Sequence, residues 1–142
     1  MVYRADHLSL LTDDDHRLLQ QAGLQTVCDL RSRREQRKSP DRLPQDGSIR
    51  FLSFPVESRI FDPATAMDLL RAGDLDWLSM DFIINLYRSY LDDFGPVWGR
   101  IYTMAGSADH LPLAFHCTGG KDRTGICSAL LLDLPFTVCG HL

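Results

Sequence analysis

Short apolar or β-prone runs alternate along the chain with longer segments in which apolar residues recur at helical spacing. The short runs predict strands at 2–3, 26–30, 49–55 and 111–115. The longer segments predict helices at 13–22, 32–38, 62–72, 76–93, 96–105 and 126–132. Strands that alternate with helices indicate an α/β fold, in which a short, mostly parallel sheet is flanked by helices.

Residues with capping side chains mark where several of these helices begin. Thr12 precedes three acidic residues, which is typical of a helix N-terminus. Ser32 and Glu35 have the spacing of a capping box. Asp62 begins a further predicted helix, which ends at Gly73.

The pattern also predicts which segments are buried. The strand at 49–55 is mostly apolar, so we expect it to be buried on most sides. The helix at 76–93 carries a broad apolar stripe whose aromatic residues we place in the core. Tyr87 or Tyr90 on that helix is a candidate for the wall of a pocket.

The composition is that of a globular protein, with 44% hydrophobic and 24% charged residues. A chain of 142 residues predicts a single domain, 1–142. The net charge of -4 argues against a nucleic-acid partner, because such proteins usually carry a basic surface. We expect no integral membrane segment, because the N-terminus lacks an apolar signal core and residues 124–142 are too short to span a bilayer comfortably.

The four cysteines give no sign of a metal site, because none forms a C-x-x-C pair or groups with the histidines. We therefore expect no metal and no cofactor. Cys28, Cys127 and Cys139 are interpreted as core thiols, whereas Cys117 is the reactive candidate. Free thiols fit the reducing cytoplasm better than secretion, so we expect a cytoplasmic protein.

The segment from Phe115 to Gly125 carries the chemistry. It joins the end of a predicted buried strand to the start of a predicted buried helix, and residues 117–123 form what we call the anion loop. The first amides of a helix lack internal partners and carry the positive end of the helix dipole, so they bind anions. Gly119 and Gly120 allow the backbone to curl until several N–H groups converge, as a phosphate site requires.

Cys117 and Arg123 lie at the two ends of this loop. We expect Cys117 to be ionised and nucleophilic, because a helix N-terminus and a nearby cation stabilise a thiolate. Arg123 supplies a planar fork that can hold two phosphoryl oxygens. Together they predict two in-line displacements, in which Cys117 attacks phosphorus and water then hydrolyses the thiophosphate ester.

The sequence His-Cys-x-x-Gly-x-x-Arg-Thr-Gly, which begins at His116, resembles the signature loop of the cysteine-dependent protein tyrosine phosphatase superfamily. With Lys121 and Asp122 inside the loop, it is most similar to atypical bacterial phosphatases that act on phosphotyrosine, phosphoserine or phosphothreonine, and phosphoinositides. Asp-Leu-Arg-Ser at 29–32 and Pro-Asp-Arg-Leu-Pro at 40–44 also resemble those enzymes. The resemblance implies a phosphatase-like fold and a phosphorylated protein or phosphoinositide as substrate.

The resemblance also implies roles for individual residues. Asp122 corresponds to the general acid, Thr124 to the hydroxyl that stabilises the thiolate, and Lys121 to a loop lysine that accompanies phosphoinositide hydrolysis. An alternative for Asp122 is a loop residue that pairs with Arg31 or another cation. The expected substrate-binding residues are Thr118, Gly119, Gly120, Lys121, Thr124 and Gly125.

Three further residues are expected to support the site. His116 precedes the nucleophile, and we expect it to orient the loop through hydrogen bonds. Asp29 lies at the carboxyl end of a presumed parallel strand. It is either an alternative general acid or a residue that supports the other site residues. Arg31 belongs to the basic segment, residues 31–42, which has six basic residues and two acids. That segment is either a solvated helix face, or Arg31 or a neighbour lines the mouth of the site and attracts an anionic substrate.

Compared with the bacterial phosphatases that it resembles, the chain looks incomplete at both ends. Without the segments that would follow the last helix, Leu130, Leu131 and Leu132 are expected to be exposed, and the isolated chain is expected to be marginally stable or to associate. The sequence predicts an active phosphomonoester hydrolase. The alternatives are a vestigial phosphate-binding module without turnover, or another cysteine-loop enzyme such as a sulfurtransferase or arsenate reductase.

Overall fold

The structure is a computed structural model, and it describes residues 1–59, 61 and 68–133. We number the strands and helices of these ranges in chain order. The strands are β1 (Val2–Ala5), β2 (Thr26–Asp29), β3 (Arg50–Ser53) and β4 (Leu113–His116). The helices are α1 (Asp13–Gln21), α2 (Arg33–Lys38), α3 (Met80–Asp92), α4 (Gly95–Ala105) and α5 (Asp122–Leu132), and a short 3₁₀ turn covers Ala108–His110.

The four strands form a parallel sheet in the order β1-β4-β2-β3, which confirms the predicted fold class. The two central strands, β4 and β2, are buried along their whole length. Ala5, Asp29 and His116 are in register at the carboxyl ends of neighbouring strands, where open α/β sheets bind ligands.

The prediction that the strand at 49–55 is buried on most sides is wrong. The observed strand β3 is shorter and lies at the edge of the sheet, where three of its four residues are exposed. Phe51 keeps 44% of its surface accessible. An apolar run does not distinguish an edge strand from a central one, because that distinction depends on which strands pair.

The caps set the helix boundaries as predicted at α1 and α2. Thr12 and Asp15 form a capping box at α1, and Ser32 and Glu35 form one at α2. The predicted start at Asp62 lies outside the described residues, although residues 68–71 are helical. Helix α3 begins later than predicted, because the side chain of Ser79 accepts a hydrogen bond from the amide of Phe82 and fixes the N-terminus there.

The core is divided between two hydrophobic clusters. The larger one joins the sheet to α3, α4 and α5, and the smaller one contains Leu24, Val27 and Ala114, with Leu19 of α1 packed against it. Of the aromatic residues that the sequence places in the core, Tyr90 is buried in the larger cluster, and Phe82 and Tyr87 are half-buried and pack against it.

Cys28 and Cys127 are buried in the larger cluster, and burial raises the pKa of each thiol to about 12. This confirms the prediction that they are core thiols, whereas Cys139 lies outside the described residues. Of the three leucines expected to be exposed, only Leu132 is, because Leu130 and Leu131 pack against the same cluster. Within the described ranges, no helix is long and apolar enough to cross a lipid bilayer.

Candidate active site

The anion loop connects the buried end of β4 to the first turn of α5, which is where the sequence predicts it. Cys117 follows β4 directly and is only 3% exposed. Its Sγ lies 3.8 Å from Oγ1 of Thr124, which is fully buried in α5. The sulfur atom therefore lies at the start of the loop with the hydroxyl group of Thr124 beside it.

Close packing against β1 shapes the loop at Gly120. This residue has a φ of +57°, and a Cβ at its position would lie 2.9 Å from the carbonyl oxygen of Ala5. Arg4 donates to the carbonyl oxygen of Gly120 from Nε at 3.0 Å and from Nη2 at 2.6 Å. Gly119 has neither a positive φ nor a neighbour that a Cβ would meet. The curvature of the loop thus requires a glycine at position 120 and not at 119.

Four consecutive loop amides are available to a ligand. The N–H groups of residues 118–121 donate to no other group among the described residues. They are followed by the N-terminus of α5, whose first amides also lack internal partners. The amide of Gly125 instead donates to the carbonyl oxygen of Lys121 at 2.8 Å, so it belongs to the helix. Thr118, Gly119, Gly120 and Lys121 thus provide a run of backbone donors directly after Cys117.

Arg123 is held in place by Glu35 of α2. Its Nη1 and Nη2 atoms donate to the two carboxylate oxygens of Glu35, each at 2.8 Å, and the arginine is buried. Burial opposes the charge on Arg123, but the hydrogen bonds and charge of Glu35 and the charge of Cys117 raise the pKa of this guanidinium above its ordinary value. Arg123 and Cys117 therefore lie in one electrostatic environment, as the sequence predicts.

Glu35 has two further hydrogen-bond partners. It accepts from Oγ1 of Thr118 at 2.5 Å and from the amide of Ser32 at 2.7 Å. Burial alone would raise the pKa of Glu35, but the hydrogen bonds and charge of Arg123, with those from Thr118 and Ser32, lower it to about 2. The sequence reveals Glu35 only as a helix cap. One signal was available, since it is one of two acids in the basic segment.

Asp122 lies in the first turn of α5, half-buried beside the loop. Its Oδ1 accepts a hydrogen bond of 2.5 Å from the hydroxyl group of Tyr87 on α3. This hydrogen bond, together with burial, raises the pKa of Tyr87 to about 12. The partner of Asp122 is thus a tyrosine, whereas the alternative interpretation from sequence was a pairing with Arg31.

Arg31 lies in a buried ion-pair network behind the loop. Its guanidinium donates to Oδ2 of Asp29 at 2.8 Å and to Oδ1 of Asp41 at 2.7 Å, and only 2% of its side chain is exposed. The interpretation that Arg31 itself lines the mouth of the site is therefore wrong. Two acids on either side compensate its charge and keep it inside the protein.

His116 and Asp29 belong to the same network. His116 is fully buried, and its Nδ1–H donates to the carbonyl oxygen of Cys117 at 3.2 Å. Its Nε2 lies 2.9 Å from Oδ2 of Asp41, without the alignment of a hydrogen bond. Asp29 has no exposed surface, which places it among the supporting residues rather than in contact with a ligand.

This network also brings together potential metal ligands. One ligand atom from each of Asp29, Asp41 and His116 lies within 4.8 Å of the others. The Arg31 guanidinium, however, already donates to both carboxylates and supplies a positive charge there. The arrangement is therefore explained as an ion-pair network, and we do not assign it a metal.

A pocket of about 350 Å³ opens above Arg123. One wall carries arginines 33, 34 and 37 of the basic segment, all of them exposed. The opposite wall includes Val56 and Phe61. Tyr90 also lines the pocket, and burial raises its pKa to about 12. The neighbours of Arg31, rather than Arg31, thus give the pocket its positive rim.

Residues 1–135 match the sequence model described as the tyrosine phosphatase family. The chain belongs to the tyrosine phosphatase family. Two curated relatives agree with this assignment. A tyrosine-protein phosphatase of Nostoc commune is 32% identical in an alignment 134 residues long, which covers 92% of this chain and 42% of the relative. The triple specificity protein phosphatase PtpB of Mycobacterium tuberculosis is 29% identical in an alignment 152 residues long including gaps, which covers 93% of this chain and 54% of the relative.

Membership of the tyrosine phosphatase family confirms the resemblance that the anion loop indicates. The chain spans about half the length of the curated relatives it matches. The roles of Cys117, Arg123, Asp122 and the supporting residues remain predictions, since the comparisons assign no residue. The structure nevertheless places the first three between the end of β4 and the first turn of α5. Their partners are Tyr87, which the sequence names only as a candidate for a pocket wall, and Glu35, which it identifies only as a helix cap.

Proposed function

We propose that this member of the tyrosine phosphatase family is a phosphomonoester hydrolase that acts through a cysteinyl-phosphate intermediate. One observation carries the proposal, namely the run of amides at 118–121 that donate to no group among the described residues, directly after the buried thiol of Cys117 and in the same loop as Arg123. Such an arrangement suits a tetrahedral dianion, because its donors are fixed before the substrate arrives.

In the first step, Sγ of Cys117 attacks phosphorus as the bond to the leaving oxygen breaks. The loop amides and the free edge of the Arg123 guanidinium hold the equatorial oxygens, where charge is greatest in the transition state. Asp122 donates its proton to the leaving oxygen, which departs as an alcohol or phenol.

In the second step, water attacks the phosphorus of the intermediate. Asp122, now ionised, accepts a proton from that water, and the bond between sulfur and phosphorus breaks. The hydroxyl of Thr124 stabilises the departing thiolate, consistent with its distance of 3.8 Å from the sulfur. These steps use only groups that belong to this chain.

The proposed substrates are phosphorylated proteins or phosphoinositides. The positive rim of the pocket, at Arg33 and Arg37, supports an anionic substrate that carries charge beyond its reacting phosphate. The relative PtpB is named a triple specificity phosphatase, so a broad range of phosphate esters fits the comparison. A cytoplasmic location is part of the proposal, because the thiols of Cys28, Cys117 and Cys127 are free.

Hydrolysis of p-nitrophenyl phosphate by the wild type and Cys117→Ser tests the proposal. We expect the substitution to abolish turnover, whereas the control Cys127→Ala, which removes a core thiol from α5, should retain it. Vanadate binding without turnover in the wild type would instead indicate a vestigial phosphate-binding module. Turnover that survives Cys117→Ser would contradict the cysteinyl-phosphate mechanism.

A further inference from the structure

We propose that Tyr87 is a positioning residue for Asp122, whose carboxyl group it orients for donation of a proton to the leaving oxygen. The inference rests on the proposed function, in which Asp122 is the general acid. Nothing in the sequence pattern assigns Tyr87 to the reaction. In the structure, its hydroxyl group donates to Oδ1 of Asp122 at 2.5 Å.

The position of Tyr87 is fixed by the helix that carries it. Its neighbour Leu86 is buried, as is Tyr90 one turn later, so this face of α3 is anchored in the larger core cluster. The backbone carbonyl of Tyr90 also accepts a hydrogen bond of 2.9 Å from Nε1 of Trp98. The ring of Tyr87 packs against the same cluster, so a well-packed helix holds its hydroxyl group beside Asp122.

This hydrogen bond gives the two carboxyl oxygens of Asp122 different roles. Oδ1 is occupied by the tyrosine hydroxyl, which leaves Oδ2 to carry the proton that goes to the leaving oxygen. During that transfer the O–H bond at Oδ2 breaks and the proton follows the leaving group, while Tyr87 keeps its own proton throughout. Tyr87 can remain a donor over the working range, because the hydrogen bond to Asp122 raises its pKa to about 12.

Several charged groups lie near this pair. The charges of Arg123, Glu35 and Cys117 act on Tyr90 together with that of Asp122. Within the part of the chain that the structure describes, the hydroxyl group of Tyr87 is the side-chain group that donates directly to Asp122.

The test compares Tyr87→Phe with the wild type, with phenyl phosphate and p-nitrophenyl phosphate as substrates. We expect kcat for phenyl phosphate to fall about tenfold, a part of the 10²–10⁴-fold that general acid catalysis contributes. The loss should be smaller for p-nitrophenyl phosphate, whose leaving group needs less protonation. Tyr3→Phe, on the exposed edge strand β1, is the matched control.

A structural role alone would give a different result. In the Asp122→Asn background, Tyr87→Phe should have little further effect on kcat, because the group it positions is absent. An equal fractional loss in both backgrounds would overturn the inference. If Tyr87→Phe folds poorly, a ring-fluorinated tyrosine at this position preserves the packing and the hydroxyl donor. It should keep kcat for phenyl phosphate near that of the wild type, and a loss as large as that of Tyr87→Phe would also overturn the inference.

The outcomes separate this inference from the proposed function. Turnover that depends on Cys117 but shows no change in leaving-group dependence with Tyr87→Phe contradicts the role of Tyr87 alone. A wild-type chain without turnover contradicts the proposed function and this inference together.

Discussion

Glu35 uses one carboxylate for two purposes in this structure. It completes the capping box of α2, and it binds both terminal nitrogens of Arg123. Because a planar guanidinium and a carboxylate match in a bidentate pair, the arginine has little freedom to rotate. The nitrogen edge that should bind phosphate is therefore oriented before a ligand enters.

Glu35→Gln is expected to reduce kcat/KM about 10- to 100-fold, which corresponds to the worth of a hydrogen bond to a charged group. The amide cannot accept from both nitrogens, so Arg123 should lose its fixed orientation. Steady-state kinetics with p-nitrophenyl phosphate measure the change. Glu57→Gln is a control, since Glu57 lines the same pocket but binds the amide of Arg33 rather than Arg123. Equal losses in both variants would contradict the orienting role.

The sequence predicts the contacts of some site residues and not those of others. Cys117 and Thr124 come near each other because they flank one short loop, so their spacing along the chain already predicts the contact. Glu35 and Arg123 are 88 residues apart, and only the folded sheet and helices bring them together. Long-range partners of this kind leave no local pattern in a single sequence.

Helix α2 is the element that links the pocket rim to the pocket floor. Its exposed arginines face the opening, while Glu35 on the same helix holds Arg123 below. Charge at the rim is solvent-exposed and should act on encounter and binding rather than on the chemical step. The contributions of the two parts of the helix can therefore be measured separately.

Replacing Arg33 and Arg37 together with alanine should raise KM for a multiply phosphorylated substrate about tenfold, with kcat changed less than about threefold. The effect should shrink at high ionic strength, because salt screens exposed charges. Kinetics at low and high salt provide the measurement. Lys38→Ala removes a charge from the same helix away from the pocket, and a similar rise in KM there would contradict a local rim effect.

At the scale of helices and strands, short sequence motifs predict where helices begin, but they do not predict which strands pair in the sheet. The capping boxes of α1 and α2 follow from a few adjacent residues, and both occur in the structure. The exposure of β3 depends on the strand order β1-β4-β2-β3, which a run of apolar residues does not encode. The sequence predicts too early a start for α3, because the apolar stripe begins before Ser79, the residue that caps the helix.

For the whole molecule, the buried charges make stability depend on pH. The pKa of Glu35 is about 2 in the folded chain, below its ordinary value of 4.5. Its contribution to stability is thus complete above about pH 4.5 and is lost as the pH falls toward 2, because the unfolded chain binds the proton first.

Thermal unfolding should therefore shift to lower temperature between about pH 5 and pH 3. The melting temperature of Glu35→Gln should be lower than that of the wild type at pH 6 but should change less over the same interval. Circular dichroism at a series of pH values measures both. Parallel curves for the two proteins would show that Glu35 does not account for the acid sensitivity.

The hydrogen bonds from Arg4 to the carbonyl oxygen of Gly120 join the edge strand β1 to the anion loop. An edge strand is ordinarily the easiest part of a sheet to detach. Here its departure would remove the contact that holds the backbone of the loop at Gly120. We therefore expect detachment of the first strand to weaken binding of a phosphate group.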